Sequence, residues 1–260
     1  MIDFWSYTDE YKELKTKYLK KIDLSIKSGK IFFGPELKRF EKNTSADSKK
    51  WVKFNTKYTT EEFCQLIDPQ LYDEILLDIS SIEKEANDKL SKLSISLGGG
   101  GNYILLYFLV RKLKPNTVVE TGVAAGWSSL AILRALRKNG NGKLYSSDFP
   151  YFRLEKPEQY IGYLAKNEIN KTNWFLDIRG DDVAIPEILK RIGNDNIDLI
   201  HYDSDKSYSG RDKVLKTLHP KINPKTIIIF DDIQDNLHFK DLIEKTKEDY
   251  CTLEFKGKYV

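Results

Sequence analysis

Residues 118–130 read VVETGVAAGWSSL: two β-branched valines, an acid, glycines at 122 and 126, and then a run able to start a helix. A short apolar run closed by a glycine turn and followed by a helical pattern is the opening βα unit of an α/β fold. The glycines let the backbone turn sharply and approach a ligand, and the free N–H groups at the start of the next helix favour a carboxylate or phosphate. A nucleotide-like ligand with an anionic end fits such a loop. The spacing behind Glu120 is G-x-x-x-G, which departs from the G-x-G-x-x-G of dinucleotide-binding loops.

Working outward, strands are read at 117–120, 143–147, 174–178, 197–202 and 226–230, and helices at 128–138, 158–170, 185–191 and 210–218. Each parallel neighbour needs a crossover of helical length, so this alternation predicts a doubly wound, mostly parallel, Rossmann-like sheet. The tail adds a helix at 236–248 and two short strands around Gly257, expected as a two-stranded finish at the sheet edge, the last cut close by Val260.

Upstream, LGGGGN at 97–102 must be a flexible or tightly turned joint, because four consecutive glycines cost much backbone entropy. Before it, Tyr11, Leu14, Tyr18 and Ile22 recur at helical spacing. So do Leu71, Ile75, Ile79, Ile82, Ala86, Leu90 and Leu93, behind an Asp68-Pro69 start signal. The expected organisation is a mainly helical N-terminal extension, 1–97, and an α/β domain, 98–260.

Composition narrows the function. With 260 residues, 40% apolar and 31% charged, the chain can bury a full core. Lys+Arg 42 against Asp+Glu 39, with no basic block, argues against a nucleic-acid partner held through phosphates. Cys64 and Cys251 match no zinc spacing and read as inert thiols. Charge arrives early at the N-terminus and the longest apolar stretch, 103–110, is far too short to span a bilayer, so no membrane partner and a cytoplasmic location are expected. A small-molecule partner fits this chain, and a homo-oligomer is compatible with it.

In a doubly wound sheet, ligands sit outside the carboxyl ends of the strands. Those ends carry Glu120, then Asp148 in KLYSSD, Asp181 in RGDDVAIPEIL, Asp203 and Lys206 in IDLIHYDSDKSY, and Asp231 and Asp232 in TIIIFDDIQDN. Asp203 and the Asp231–Asp232 pair fall at neighbouring strand ends, where carboxylates repel unless a cation or proton intervenes, and oxygen ligands suit a hard ion such as Mg²⁺. His201, on alternating strand geometry, reads as packed; His219 and His238 have no motif around them.

The loop resembles the first motif of class I S-adenosylmethionine-dependent methyltransferases, and ETGVAAGWSSL is similar in particular to the catechol O-methyltransferase-like group and methyltransferase family 24. The middle glycine of many members is Ala124 here. The resemblance covers residues 98–260 and implies a cofactor site of Glu120, Gly122, Ala124, Gly126, Trp127, Ser128, Asp148, Asp181 and Asp203. Within it Asp148 would meet the ribose hydroxyls and Asp181 would lie near the adenine. It further implies a metal held by Asp203, Asp231 and Asp232, and catalysis by Asp203 with Lys206 as general base in a D-x-x-K spacing. Asp232 replaces the Asn of catechol-type enzymes, as in cephalosporin hydroxylase-like relatives. Three functions therefore stand open: O-methylation of a small-molecule hydroxyl (a sugar or secondary metabolite), a related enzyme that transfers no methyl, and a nucleotide-binding protein without turnover.

Overall fold

The computed structural model describes residues 35–150, 154–168 and 173–260, so the helical spacing at 11–22 lies outside the described residues. Packing separates two compact units, Met1–Asp47 and Ser48–Val260. Helix α1 (Pro35–Asn55) is followed by a two-residue strand β1 (Tyr58–Thr59) and helices α2 (Thr60–Ile67) and α3 (Pro69–Leu90). A capping box starts α2: Thr59 Oγ1 accepts from Glu62 N at 3.2 Å and Glu62 Oε2 accepts from Thr59 N at 2.8 Å. The T-x-x-E signal for this helix stands in the sequence. Asp68 caps α3, its Oδ1 accepting from Leu71 N at 3.0 Å, with Pro69 in the first turn. The buried stripe Ile75, Ile79, Ile82 and Ala86 keeps the helical spacing that the pattern predicts, with Tyr72 buried in place of Leu71 and Leu93 falling beyond the helix end.

That stripe packs on α4 (Tyr103–Leu113), whose apolar run is buried almost throughout. Asn102 pins its start, Oδ1 accepting from Leu105 N at 3.1 Å and Nδ2 donating to Thr60 Oγ1 at 2.6 Å. Helices on both sides of the glycine run therefore share one core, within the unit Ser48–Val260. Burying side chains such as Leu106 and Phe108 contributes roughly 1.5–3 kcal/mol each.

Strands β2 (Thr117–Thr121), β3 (Lys143–Ser147), β4 (Trp174–Asp177), β5 (Leu199–Tyr202) and β6 (Ile227–Phe230) form the predicted parallel sheet, in the order β4-β3-β2-β5-β6. Helices α5 (Trp127–Asn139), α6 (Asp181–Ile192), α7 (Tyr208–Leu218) and α8 (His238–Thr246) alternate with them. Successive side chains point to opposite faces. Val118, Leu144, Leu199 and Ile229 pack in one core with α3, α4 and α5, while Val119, Tyr145, Ile200 and Phe230 pack in another with α6, α7 and α8. Both faces being covered, the strands read as near-continuous apolar runs. The chain leaves β2 for β3 on one side and returns to β5 on the other, which puts the topological switch point between β2 and β5.

Two expectations fail. The helix read at 158–170 is replaced by 3₁₀ turns at Pro157–Gln159 and Tyr163–Glu168. Gly162 sits between them in the left-handed region at φ 63°, which no α-helix accommodates. Its N–H donates to Ala124 O at 2.8 Å and that of Leu164 to Ala125 O at 2.9 Å, so the segment satisfies the loop after β2 instead of its own helix. The terminal strands β7 (Leu253–Phe255) and β8 (Lys258–Tyr259) do form a pair, but not at the edge of the five-stranded sheet. They join β1 in a separate sheet of order β1-β7-β8, because Leu253, Phe255 and Val260 bury in the core of α3 and α4.

Cys64 and Cys251 are both free thiols. Burial, with Glu61 beside it, pushes the Cys64 thiol up to about 12, which leaves it inert. Among the described residues no helix is long and apolar enough to cross a membrane.

Candidate active site

Register sets Glu120 beside His201 and His201 beside Ile229. Two residues further along, on the same side of the pleat, the strand ends present Gly122, Asp203 and Asp231 in a row. Gly122 has φ 82°, and a Cβ there would run into the Asp203 carbonyl oxygen and lie 2.5 Å from its carbon. Only glycine lets the loop after β2 lie flush on the turn after β5.

Asp148 braces that loop. Its Oδ2 accepts from Val123 N at 2.8 Å and Ala124 N at 2.6 Å, and its Oδ1 from Phe149 N at 2.5 Å. Burial pushes its carboxyl above the ordinary value, against the pull of these three N–H groups. Asp181 ties two strand ends together, Oδ1 accepting from Ser147 Oγ and Oδ2 from Ser204 Oγ, each at 2.6 Å. Both acids face a cleft of about 720 Å³, whose walls include Gly122, Ala124, Arg179, Asp203 and Ser204. That volume is in the range of small-molecule sites.

The other predicted loop residues take a different place. Glu120 is buried, its Oε2 accepting from Ser129 Oγ at 2.6 Å and Ser146 Oγ at 2.8 Å, so it anchors the first turn of α5 and does not line the cleft. Gly126 stands at the start of α5, Ser128 is buried in its first turn, and Trp127 stacks on Tyr103 with ring centroids 5.2 Å apart. The N–H groups of this first turn, with no side chain capping them, are what the loop offers an anion.

At the ends of β5 and β6, Lys206 Nζ donates to Asp203 Oδ1 and lies 3.4 Å from Asp232 Oδ2. Burial pushes the Lys206 ammonium below its ordinary value, with Asp231 and Asp232 opposing. Burial alone would raise the Asp232 carboxyl, but Lys206 and Lys258 hold it below the usual carboxylate range; Lys258 Nζ is 3.0 Å from Asp232 Oδ1. Asp231 Oδ1 accepts from Asp232 N at 2.9 Å, while Oδ2 is buried without a hydrogen-bond partner. From α7, the fully buried Arg211 holds this turn, Nη2 donating to Asp231 O at 3.0 Å and Asp232 O at 2.9 Å.

Among the described residues, the donor atoms grouped closely enough to share an ion belong to His201, Asp203 and Asp231, all within 4.8 Å of one another. Asp203 and Asp231 thus come together as expected. Asp232 does not join them: its backbone has φ 52° and its carboxylate is engaged by the two lysines. An oxygen-rich donor set with one orphaned carboxylate oxygen fits a divalent cation. The glycine run borders this cluster, since a Cβ on Gly101 would lie 2.5 Å from Asp231 Oδ2 and one on Gly100 2.8 Å from Trp127 Cβ. His201, Ser204, Arg211 and Gly101 were not foreseen as parts of the site. Only His201 carried a signal, standing two residues before Asp203 on the same face of its strand.

Sheet order, switch-point cleft and glycine loop are those of the Rossmann-like methyltransferase fold. Residues 119–233 match the family model of methyltransferase family 24, described as a methyltransferase domain. Solved structures share the fold. The S-adenosylhomocysteine-bound methyltransferase PaMTH1 of Podospora anserina superposes with a TM-score of 0.52 at 15% identity, over 68% of this chain and 85% of its own. The O-methyltransferase TomG of Streptomyces achromogenes, in complex with S-adenosylmethionine, gives a TM-score of 0.51 at 16% identity, over 68% of this chain and 85% of its own. No curated protein sequence matches the chain.

Proposed function

We propose that the protein is a cytoplasmic O-methyltransferase that moves the methyl group of S-adenosylmethionine to a hydroxyl of a small molecule such as a sugar or secondary metabolite, with help from a divalent ion. The observation that carries this reading is the loop pressed onto the β5 turn by Gly122, which sets the cleft side by side with Asp203 and Lys206. The ligands of the two fold relatives, S-adenosylmethionine and S-adenosylhomocysteine, are in keeping with it.

In this reading the first turn of α5 receives the cofactor's carboxylate, Asp148 uses its remaining lone pairs on the ribose hydroxyls, and Asp181 lies near the adenine. Methyl transfer is an in-line displacement: the acceptor oxygen forms a bond to the methyl carbon as the carbon–sulfur bond breaks. Holding the oxygen against that carbon supplies much of the rate. A divalent ion, Mg²⁺ on the sequence evidence, would be held by Asp203 and Asp231 and would stabilise charge developing on the acceptor oxygen. Lys206 Nζ takes the hydroxyl proton, a role that the burial lowering its pKa favours. Residues 1–97 supply acceptor contacts, and the glycine run that follows them borders the site, Gly101 beside Asp231 and Gly100 beside Trp127.

Calorimetry with S-adenosylmethionine and NADH, followed by a panel of hydroxylated acceptors scored for S-adenosylhomocysteine, tests the reading. Binding of S-adenosylmethionine in preference to NADH, with product formation, is expected. No binding by the wild type would end it, and binding without demethylation would favour the relatives that transfer no methyl.

A further inference from the structure

We infer that His201 is a ligand of the divalent ion, making this a site of one imidazole and two carboxylates, His201, Asp203 and Asp231, that prefers a transition ion such as Mn²⁺, Fe²⁺, Co²⁺ or Zn²⁺ to Mg²⁺. The inference rests on the reading that an ion binds at this strand edge, and it changes the identity of that ion.

Strand geometry supplies the placement. His201 lies one pleat repeat below Asp203, and its register partner Ile229 lies one repeat below Asp231, so the imidazole forms the floor under the carboxylates. Donor atoms of the three are mutually within 4.8 Å. His201 and Asp231 are each 1% exposed. Both carry orphaned atoms, His201 Nδ1 and Asp231 Oδ2. A buried polar atom without a partner costs roughly 1–3 kcal/mol, and a shared ion would relieve Asp231 directly.

Glu120 completes the arrangement. Its Oε1, also orphaned, lies 3.6 Å from His201 Nδ1, while Oε2 is fixed by Ser129 and Ser146. A ligating histidine commonly turns one ring N–H to a carboxylate, which orients the ring and leaves the other nitrogen for the metal. With Nδ1 directed at Glu120, Nε2 is the nitrogen left for the ion. Glu120 is thereby a positioning residue, which accounts for an acid buried beneath the loop and away from the cleft. Oxygen-only sites suit Mg²⁺, whereas an imidazole shifts preference along the divalent series toward transition ions. Asp232, held by Lys206 and Lys258, is not needed as a ligand.

The test uses the full chain, stripped by chelation and titrated with MnCl₂ and with MgCl₂. Pulsed electron paramagnetic resonance of the Mn²⁺-loaded wild type should show nitrogen coupling from a directly bound imidazole, and Asp203→Asn should abolish it. Mn²⁺ should bind at least about tenfold tighter than Mg²⁺, and His201→Gln should weaken Mn²⁺ by about 10- to 100-fold with S-adenosylmethionine affinity retained as the check on folding. If His201→Gln does not fold, the wild-type spectrum decides. Mn²⁺ bound without nitrogen coupling, and no tighter than Mg²⁺, would overturn the inference and leave a carboxylate-only ion site standing. Failure of any divalent ion to bind would overturn both, leaving His201 paired with Glu120 alone.

Discussion

At the ends of β3 and β4, Asp148 and Asp181 have their carboxylate oxygens occupied by backbone N–H groups and serine hydroxyls, whereas at the ends of β5 and β6 Asp203 and Asp232 meet lysine ammoniums and Asp231 keeps an oxygen orphaned. Neutral donors fix a carboxylate without any second charge, so the first half is a finished cradle whatever else is bound. The second half is held by charge against charge, so its geometry and proton affinities depend on which cation is present. One sheet edge thus divides into a part whose carboxylates are fixed by neutral donors and a part whose carboxylates answer to charge.

The largest effect should come from the charged half. Lys206→Met removes the proposed base, and kcat in an acceptor assay should fall by about 10²- to 10⁴-fold while affinity for the divalent ion is not reduced. Equal kcat in the variant would make Lys206 a counter-charge only. Next is the seam between the halves: Gly122→Ala places a Cβ against the Asp203 carbonyl at φ 82°. Strain and overlap together should cost about 2–5 kcal/mol in urea unfolding; a loss under about 1 kcal/mol would mean that the loop shifts freely off β5.

Within the neutral half, Asp148→Ala should weaken S-adenosylmethionine binding by about 1.5–3 kcal/mol, roughly 10- to 150-fold by calorimetry, and leave divalent-ion affinity alone. Equal losses in both titrations would show that the halves are not separable. The smallest effect concerns His238, which packs against Tyr208 and Phe230. Burial, with Arg211 nearby, lowers its pKa from 6.5 to about 4. The native state therefore keeps His238 neutral where the unfolded chain takes up a proton. Its contribution is fully present above about pH 6.5 and is lost as pH falls toward 4, on the order of 2 kcal/mol after allowance for solvent screening. Urea midpoints at pH 7 and pH 4.5 should draw together in His238→Phe, and an unchanged gap would place the acid sensitivity elsewhere.

The sequence by itself determined the alternation of strands and helices, the glycine loop, and the acids at successive strand ends, because a buried parallel strand and a βα turn each impose a local pattern. Gly122, Asp148, Asp203 and Asp231 were legible for that reason. Only the tertiary structure decided what non-local contacts control. The segment 158–170 has a helix-compatible composition, yet Gly162 and Leu164 spend their N–H groups on Ala124 and Ala125, so a distant loop overrides local preference. The last strands pair with β1 because their apolar side chains fit the α3–α4 core, a contact between chain ends that no periodicity encodes. Asp232 stands apart from Asp203 and Asp231, and His201 beside them, for a similar reason. A backbone turn held by Arg211 and two lysines takes the first out of the group, and β-register against Glu120 and Ile229 sets the second beneath Asp203 and Asp231, its Nδ1 3.6 Å from Glu120 Oε1.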